Sequence, residues 1–318
     1  MFIRPLFRIV PDDTKLKFMR GRYIGLMVSA VLSTMSVILF FYPGLHLGID
    51  FSGGIVMEVR TQGPADFGRL RAGLAAQGIT DAGVQRFGDD AAVLIRLPTQ
   101  ATEAATQQVV AKVRAGLDAA LPGTRVVRTD AVGASVSSEL FRDGMLALGL
   151  SLLMIMAWIW FRFEWQFAVG AVATLVLDLT KAIGFLVLTR LEFDLVMVGA
   201  ILTILGFSTN DKVVVYDRMR ENLRKYKSMP LRDLIDLSIN ETLNRTVGTS
   251  MTVFLASLPL ALFGGATLSG FALMMLFGIV VGTSSSIFIA APILLFLGEK
   301  KLRRDSRAAP APHPATSK

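Results

Sequence analysis

The chain has 318 residues, of which 53% are hydrophobic and only 18% charged. Its mean hydropathy is +0.55, whereas ordinary globular chains carry about 25% charged residues. Zero Cys excludes disulfides, thiol nucleophiles, Fe–S clusters and Cys-ligated zinc. Two His, His46 and His313 at opposite ends of the chain, leave no basis for a His-based metal site or a Ser–His triad. The net charge of +8 is compatible with nucleic acid, anionic lipid or membrane topology, and its distribution decides among them.

A span of the ~30 Å hydrocarbon core needs about 20 apolar residues. The first candidate is Ile24–Tyr42, after a basic arm over residues 1–22; with no small-residue cleavage site it reads as an uncleaved anchor over 23–42. Five more follow within residues 144–298: Met145–Phe161, Phe167–Leu188, Leu195–Tyr216, Val247–Phe263 and Phe271–Leu297. Lys and Arg concentrate in the N-terminal arm, in the loop over 217–244 and in the tail over 299–318. The connections Thr189–Asp194 and Gly264–Ser269 carry no basic excess. The positive-inside rule therefore predicts six spans with both termini cytoplasmic. The charge is a topology signal, and no basic stretch has the interleaved aromatics that nucleic-acid binding would suggest. The tail from Asp305 is low in complexity and reads as disordered.

Residues 43–143 have the composition of a water-soluble domain, with ten Arg/Lys against eleven Asp/Glu. Ile55, Met57 and Val59 alternate with Val56, Glu58 and Arg60, as in a half-buried strand. Phe67, Leu70 and Leu74 step at helical spacing. Val84–Phe87 and Val93–Leu97 predict a hairpin across Gly88-Asp89-Asp90, Val109, Val113 and Leu117 a second helix, and Thr124–Val127 a last strand. The order β-α-β-β-α-β is that of a ferredoxin-like unit, placed on the outer side. The predicted fold class is an α-helical polytopic membrane protein with this α+β domain between its first two helices.

Ionisable residues inside a span cost about 2.5–3.5 kcal/mol even on permissive scales, so each is a functional candidate. Asp211 and Asn210 lie in the fourth span, below Ser208 and Thr209, and Arg245 opens the fifth. If the helices are neighbours, Asp211 and Arg245 form a pair that proton uptake would release; a static ion pair and an Arg245 that snorkels to headgroups are the alternatives. Lys212 points about 100° away from Asp211 and is expected to snorkel. Asp178 in the third span has Lys181 three residues on, on the same face, and ranks second. Gly278 and Gly282 form a GxxxG in the sixth span, beside Thr283-Ser-Ser-Ser-Ile287, a pattern of close helix packing. Pro259 and Pro292 are candidate kinks. Pro230 and the face Leu231, Leu234, Ile235, Ser238, Ile239 and Thr242 predict a helix lying along the membrane surface and leading into span five. No Gly-Lys pair exists, so there is no Walker A sequence, and the expected energy source is an ion gradient. The chain is expected to be no enzyme and to hold no metal and no cofactor, with protons as the coupling ion.

Several segments resemble one family. Leu47-Gly-Ile-Asp-Phe-Ser-Gly-Gly54, Val132-Gly-Ala-Ser-Val-Ser-Ser-Glu-Leu140, Phe163-Glu-Trp165, Asn210-Asp211, Asp217-Arg-Met-Arg-Glu-Asn222, Asn244-Arg-Thr246, Phe263-Gly-Gly265 and Gly282-Thr-Ser-Ser-Ser-Ile287 are similar to the SecF family. Its members are the smaller subunits of SecDF export complexes, in the resistance-nodulation-division superfamily. The resemblance implies a bacterial inner-membrane subunit that pairs with SecD in a pseudosymmetric twelve-span unit. It implies work beside a SecY-type translocon, an insertase and small accessory subunits, drawing unfolded preprotein outward late in export. Asp211 and Arg245 match the family's proton-pathway residues, and a SecD aspartate is implied to complete the site. Lys212 and Lys181 depart from the small or apolar residues expected there. Asp50, Gly53 and Gly54 are read as setting a strand start and a tight backbone approach. Two rival readings remain: a passive factor linking translocon and insertase, and half of a lipid or small-molecule exporter.

Overall fold

The computed structural model describes residues 14–87, 89–100 and 102–296. The basic residues of the arm before residue 14, the tail from 297, His313 and the hairpin residue Gly88 lie outside the described residues. Among those described, six helices are long and apolar enough to cross a membrane. A 3-10 turn, Phe18–Gly21, leads into α1 (Arg22–Phe41). The inserted domain then runs α2 (Ile49–Ser52), β1 (Gly54–Arg60), α3 (Phe67–Ala76), β2 (Gly83–Phe87), β3 (Asp89–Leu97), α4 (Glu103–Ala120) and β4 (Arg125–Val132). The remaining crossing helices are α5 (Ala134–Arg162), α6 (Trp165–Thr189), α7 (Leu195–Lys225), α8 (Leu231–Phe263) and a sixth made of α9 (Gly265–Ser285), a π-helical turn over Ser286–Ala290 and α10 (Ala291–Phe296).

The inserted domain follows from its alternating pattern. Ile55, Met57 and Val59 are buried against Leu70 and Leu74 of α3 and Val113 and Leu117 of α4. Asp66 caps α3 by accepting from the Gly68 and Arg69 amides, and Thr102 caps α4 by accepting from Ala105. The sheet order is β2-β3-β1-β4, every neighbour antiparallel, which is the ferredoxin-like arrangement expected. Two strands are longer than the sequence suggests. Asp89 and Asp90 belong to β3 rather than to the turn, because Arg60 and Arg86 reach across to them at 2.6 Å each. Likewise β4 continues to Val132, where it pairs with Gly54 at the start of β1.

Gly53 and Gly54 have φ of +71° and +120°, a region that L side chains avoid. A Cβ on Gly54 would sit 2.7 Å from the Leu97 carbonyl oxygen. These two glycines turn the chain from α2 into β1 while β3 passes close by.

In the membrane bundle, α6, α7 and the sixth crossing helix are central, whereas α1, α5 and α8 leave most of their apolar windows uncovered. Gly278 packs its bare Cα against Ile204, and a Cβ on Gly282 would lie 3.1 Å from Ser208. The GxxxG face thus brings α9 hard against α7. The helix expected to lie on the membrane surface is instead the first half of α8, which runs unbroken from Leu231. No Gly or Pro interrupts residues 231–247, and the predicted face is covered by protein: Leu231, Leu234, Ile235 and Ile239 join Tyr216, Met219 and Leu223 in one core. Asp236 accepts from the Met19 amide at 2.8 Å, and Asn240 bonds both backbone atoms of Leu16.

Candidate ion-coupling site

The resemblance-bearing segments first settle into two structural joints. At one end of the bundle, Asp217 pairs with Arg162, Arg220 with Glu164, and Arg218 with Glu241, at 3.0, 2.9 and 2.7 Å. Asn222 donates to Ser238 and Glu241. This network clamps the ends of α5, α7 and α8 together. At the other end, the segment after α1 is stitched to the start of α7. The Gly48 amide donates to Phe193, the Phe193 amide to His46, and the Leu195 amide to the Asp50 carboxylate, at 2.9, 2.7 and 3.2 Å. Asp194 caps α7 by accepting from Met197 at 2.8 Å. Burial, and secondarily the Asp50 charge, push the Asp194 carboxyl above its usual value. Arg96 of β3 forms an ion pair with Glu192, fastening the inserted domain to the same joint.

Between these joints α6, α7 and α9 enclose a cluster of charges. The Asp178 carboxylate accepts four side-chain bonds: Lys181 Nζ at 3.3 Å on Oδ1, then Ser285 Oγ at 2.7 Å, Ser208 Oγ at 2.8 Å and Lys212 Nζ at 3.0 Å on Oδ2. Lys212 also touches the Ser208 hydroxyl. The side chains of Asp178 and Lys212 are 1% and 0% exposed and that of Lys181 5%. Such burial is tolerated only when charges are paired and hydrogen-bonded, and Asp178 fills nearly all of its acceptor capacity. Lys212 therefore does not snorkel: its four-carbon stem carries the ammonium sideways into α6, where Asp178 already waits.

Asp211, one residue before Lys212, is buried at 1% exposure, yet its Oδ2 has no hydrogen-bond donor. The Thr283 hydroxyl of α9 lies beside the carboxylate but shares its hydrogen bond with Ser250 at 2.8 Å, and Lys212 and Arg245 are the neighbouring cations. Among the described residues no ion pair joins Asp211 to Arg245; Arg245 and Asn210 are both exposed on this chain. The sequence-predicted pair is thus near but unjoined, Asp178 and Lys181 are joined as expected, and Asn210 faces outward beside Thr203 and Gly206. The two serine ligands of Asp178, Ser208 and Ser285, are not marked as such by the sequence pattern. The signal that could have found Ser208 is its position one turn before Lys212, on the same helix face. Ser285 had no local signal, since only the Gly282 contact brings it within reach. No cluster of three or more His, Cys, Asp or Glu is placed to hold a metal among the described residues.

Comparison with known proteins matches the chain to two family models: "Protein export membrane protein SecD/SecF, C-terminal" over residues 112–300 and "SecD/SecF GG Motif" over 38–65. The protein translocase subunit SecF of Cereibacter sphaeroides is 38% identical over 310 residues, covering 95% of this chain and 96% of that one. The SecF of Rickettsia felis is 41% identical over 305 residues, with 96% and 98% coverage. The crystal structure of SecDF from Thermus thermophilus superposes with a TM-score of 0.81 at 30% identity over 93% of this chain, which spans 40% of that longer one. A second SecDF structure, in a super-membrane-facing form, gives 0.64 at 31% identity, with 96% of this chain and 42% of the other covered. With six crossing helices around a buried charge cluster, a ferredoxin-like insert and full-length similarity to curated relatives, the chain belongs to the SecF family of protein translocase subunits.

Proposed function

We propose that this subunit couples inward proton movement to the late, outward passage of an unfolded preprotein across the bacterial inner membrane. The observation that carries the reading is Asp211, a carboxylate inside the bundle with one oxygen left without a donor. An ionisable group kept at that depth without full pairing is costly, and reversible protonation is the use that repays the cost. In this reading Asp211 is protonated in the arrangement described, and Arg245 stands apart from it. Loss of the proton draws Arg245 toward the carboxylate and moves α8 against α7. A proton crossing about 100 mV brings about 2.3 kcal/mol, enough to shift a two-state packing by some tens-fold.

Both termini are cytoplasmic in this proposal and residues 43–143 periplasmic, where the inserted domain holds or docks the emerging chain. Asn210 of α7 and Arg245 of α8 are exposed on this chain, polar groups that lipid would not accept, and SecD is the partner that would cover them and complete the site. A SecY-type channel, an insertase and accessory subunits complete the assembly. The subunit performs no covalent chemistry and uses no cofactor beyond the proton.

Proteoliposomes holding the SecD–SecF complex test this directly. A pH-sensitive dye should report proton entry when a membrane potential is imposed, and Asp211→Asn or Arg245→Met should abolish it at equal protein content. Proton entry unchanged in Asp211→Asn would remove the assignment and favour a passive factor that links translocon and insertase.

A further inference from the structure

We infer that Lys212 is a tethered internal cation that makes the coupling proton-specific, by filling with its own ammonium the oxygen-lined place at Asp178 where a free sodium ion would otherwise bind. The inference rests on the proposed proton coupling for its consequence, and on the Asp178 cluster alone for its chemistry.

Lys212 Nζ donates to oxygens alone: Asp178 Oδ2 at 3.0 Å, the Ser208 hydroxyl, and the Ser208 carbonyl at 3.5 Å. A carboxylate, a hydroxyl and a backbone carbonyl converging on one point are also the ligand types that hold a hard cation. The Ser285 hydroxyl meets the same carboxylate oxygen from α9. The place is built by three helices and closed to solvent, so its shape is set by packing rather than by Lys212. Asp178 already faces two ammonium groups, Lys181 from its own helix and Lys212 from α7. A third cation on that carboxylate would have to displace Nζ or sit beside two like charges.

Asp211, with an oxygen that no donor occupies and with Thr283 beside it, is a separate position on the next residue of α7. Its neighbouring charges are Lys212 and, from α8, Arg245. Lys212 therefore divides the cluster in two: a filled half at Asp178 that takes no ion from the medium, and a half at Asp211 that takes the proton. A substitution that shortens residue 212 to a neutral side chain should convert the filled half into a sodium site lined by Asp178, Ser208 and Ser285.

The test is thermal unfolding of the purified complex in detergent, in sodium chloride against choline chloride at equal ionic strength. Wild type should show no sodium-specific change in Tm. Lys212→Ser and the bulkier Lys212→Gln should each gain a Tm rise of at least about 2 °C in sodium, and Asp178→Asn added to either should erase it. A sodium-specific rise in wild type would overturn the inference even if neither variant folds. Folded variants with no sodium response would overturn it equally. Failure of proton coupling itself would appear as dye-reported proton entry that ignores Asp211→Asn, and would leave this unfolding experiment unchanged.

Discussion

Asp178 is the residue on which the bundle's internal charge depends. Removing its charge by Asp178→Asn leaves Lys181 and Lys212 buried with no carboxylate between them, and an uncompensated buried charge costs about 3–5 kcal/mol. We expect a large loss of Tm, partly recovered in Asp178→Asn with Lys212→Met, where one of the stranded charges is also gone; unfolding of all four chains of the cycle checks this. At the joint, Asp194 yields a pH prediction. Its carboxyl lies above the ordinary value in the folded protein, so the folded state holds the proton more tightly than the unfolded one. Stability contributed there is present at low pH and falls as pH rises from the unfolded carboxylate value through the raised one. Asp194→Asn, which keeps an amide oxygen able to cap α7, should flatten that part of the Tm–pH profile. Much of this residue-level picture was legible: hydropathy exposed Asp178, Lys181, Asp211 and Lys212 because each interrupts an apolar run. The direction of Lys212 was not, since whether a lysine snorkels or turns inward depends on what the facing helix offers, and Asp178 is 34 residues away.

Helix and strand packing carries the next set of consequences. Gly278 has no room for a side chain against Ile204, so Gly278→Leu should force α9 from α7, pull Ser285 off Asp178 and lower stability by about 1–3 kcal/mol, as overpacking does. A loss under 0.5 kcal/mol by unfolding would show that the contact yields easily. The inserted domain was readable from its period-two alternation and helical spacings, and the six crossing helices from their apolar lengths. The extension of β3 over Asp89 and Asp90 was not, because Asp beside Gly is a turn signal until cross-strand arginines are known to face it. Nor was the unbroken α8: an amphipathic stretch looks the same in sequence whether lipid or protein covers its apolar face, and here the end of α7 does.

Across the whole molecule, the proposed proton site and the joint to the inserted domain lie on one helix. α7 carries Asp211 in its middle, and its start is bonded to Asp50 and capped by Asp194 beside the Arg96–Glu192 pair. In the proposed coupling, motion of α7 against α8 would reach the inserted domain through these hydrogen bonds, with the ion pair as a second fastening. Both side chains of that pair are about a third exposed, so it contributes on the order of 1 kcal/mol or less to stability. Arg96→Glu should leave folding nearly intact while loosening the domain, seen as faster hydrogen exchange at β3 and residues 190–195, and Arg96→Glu with Glu192→Arg should restore protection. The measurement closest to the central claim is export of a preprotein into inverted membrane vesicles containing this subunit and SecD, with and without a proton gradient. The account predicts that the gradient accelerates late export in wild type and that Asp211→Asn and Arg245→Met lose only that increment. Mutant vesicles that stay gradient-responsive at normal protein levels would contradict it, and would make Asp211 a structural residue.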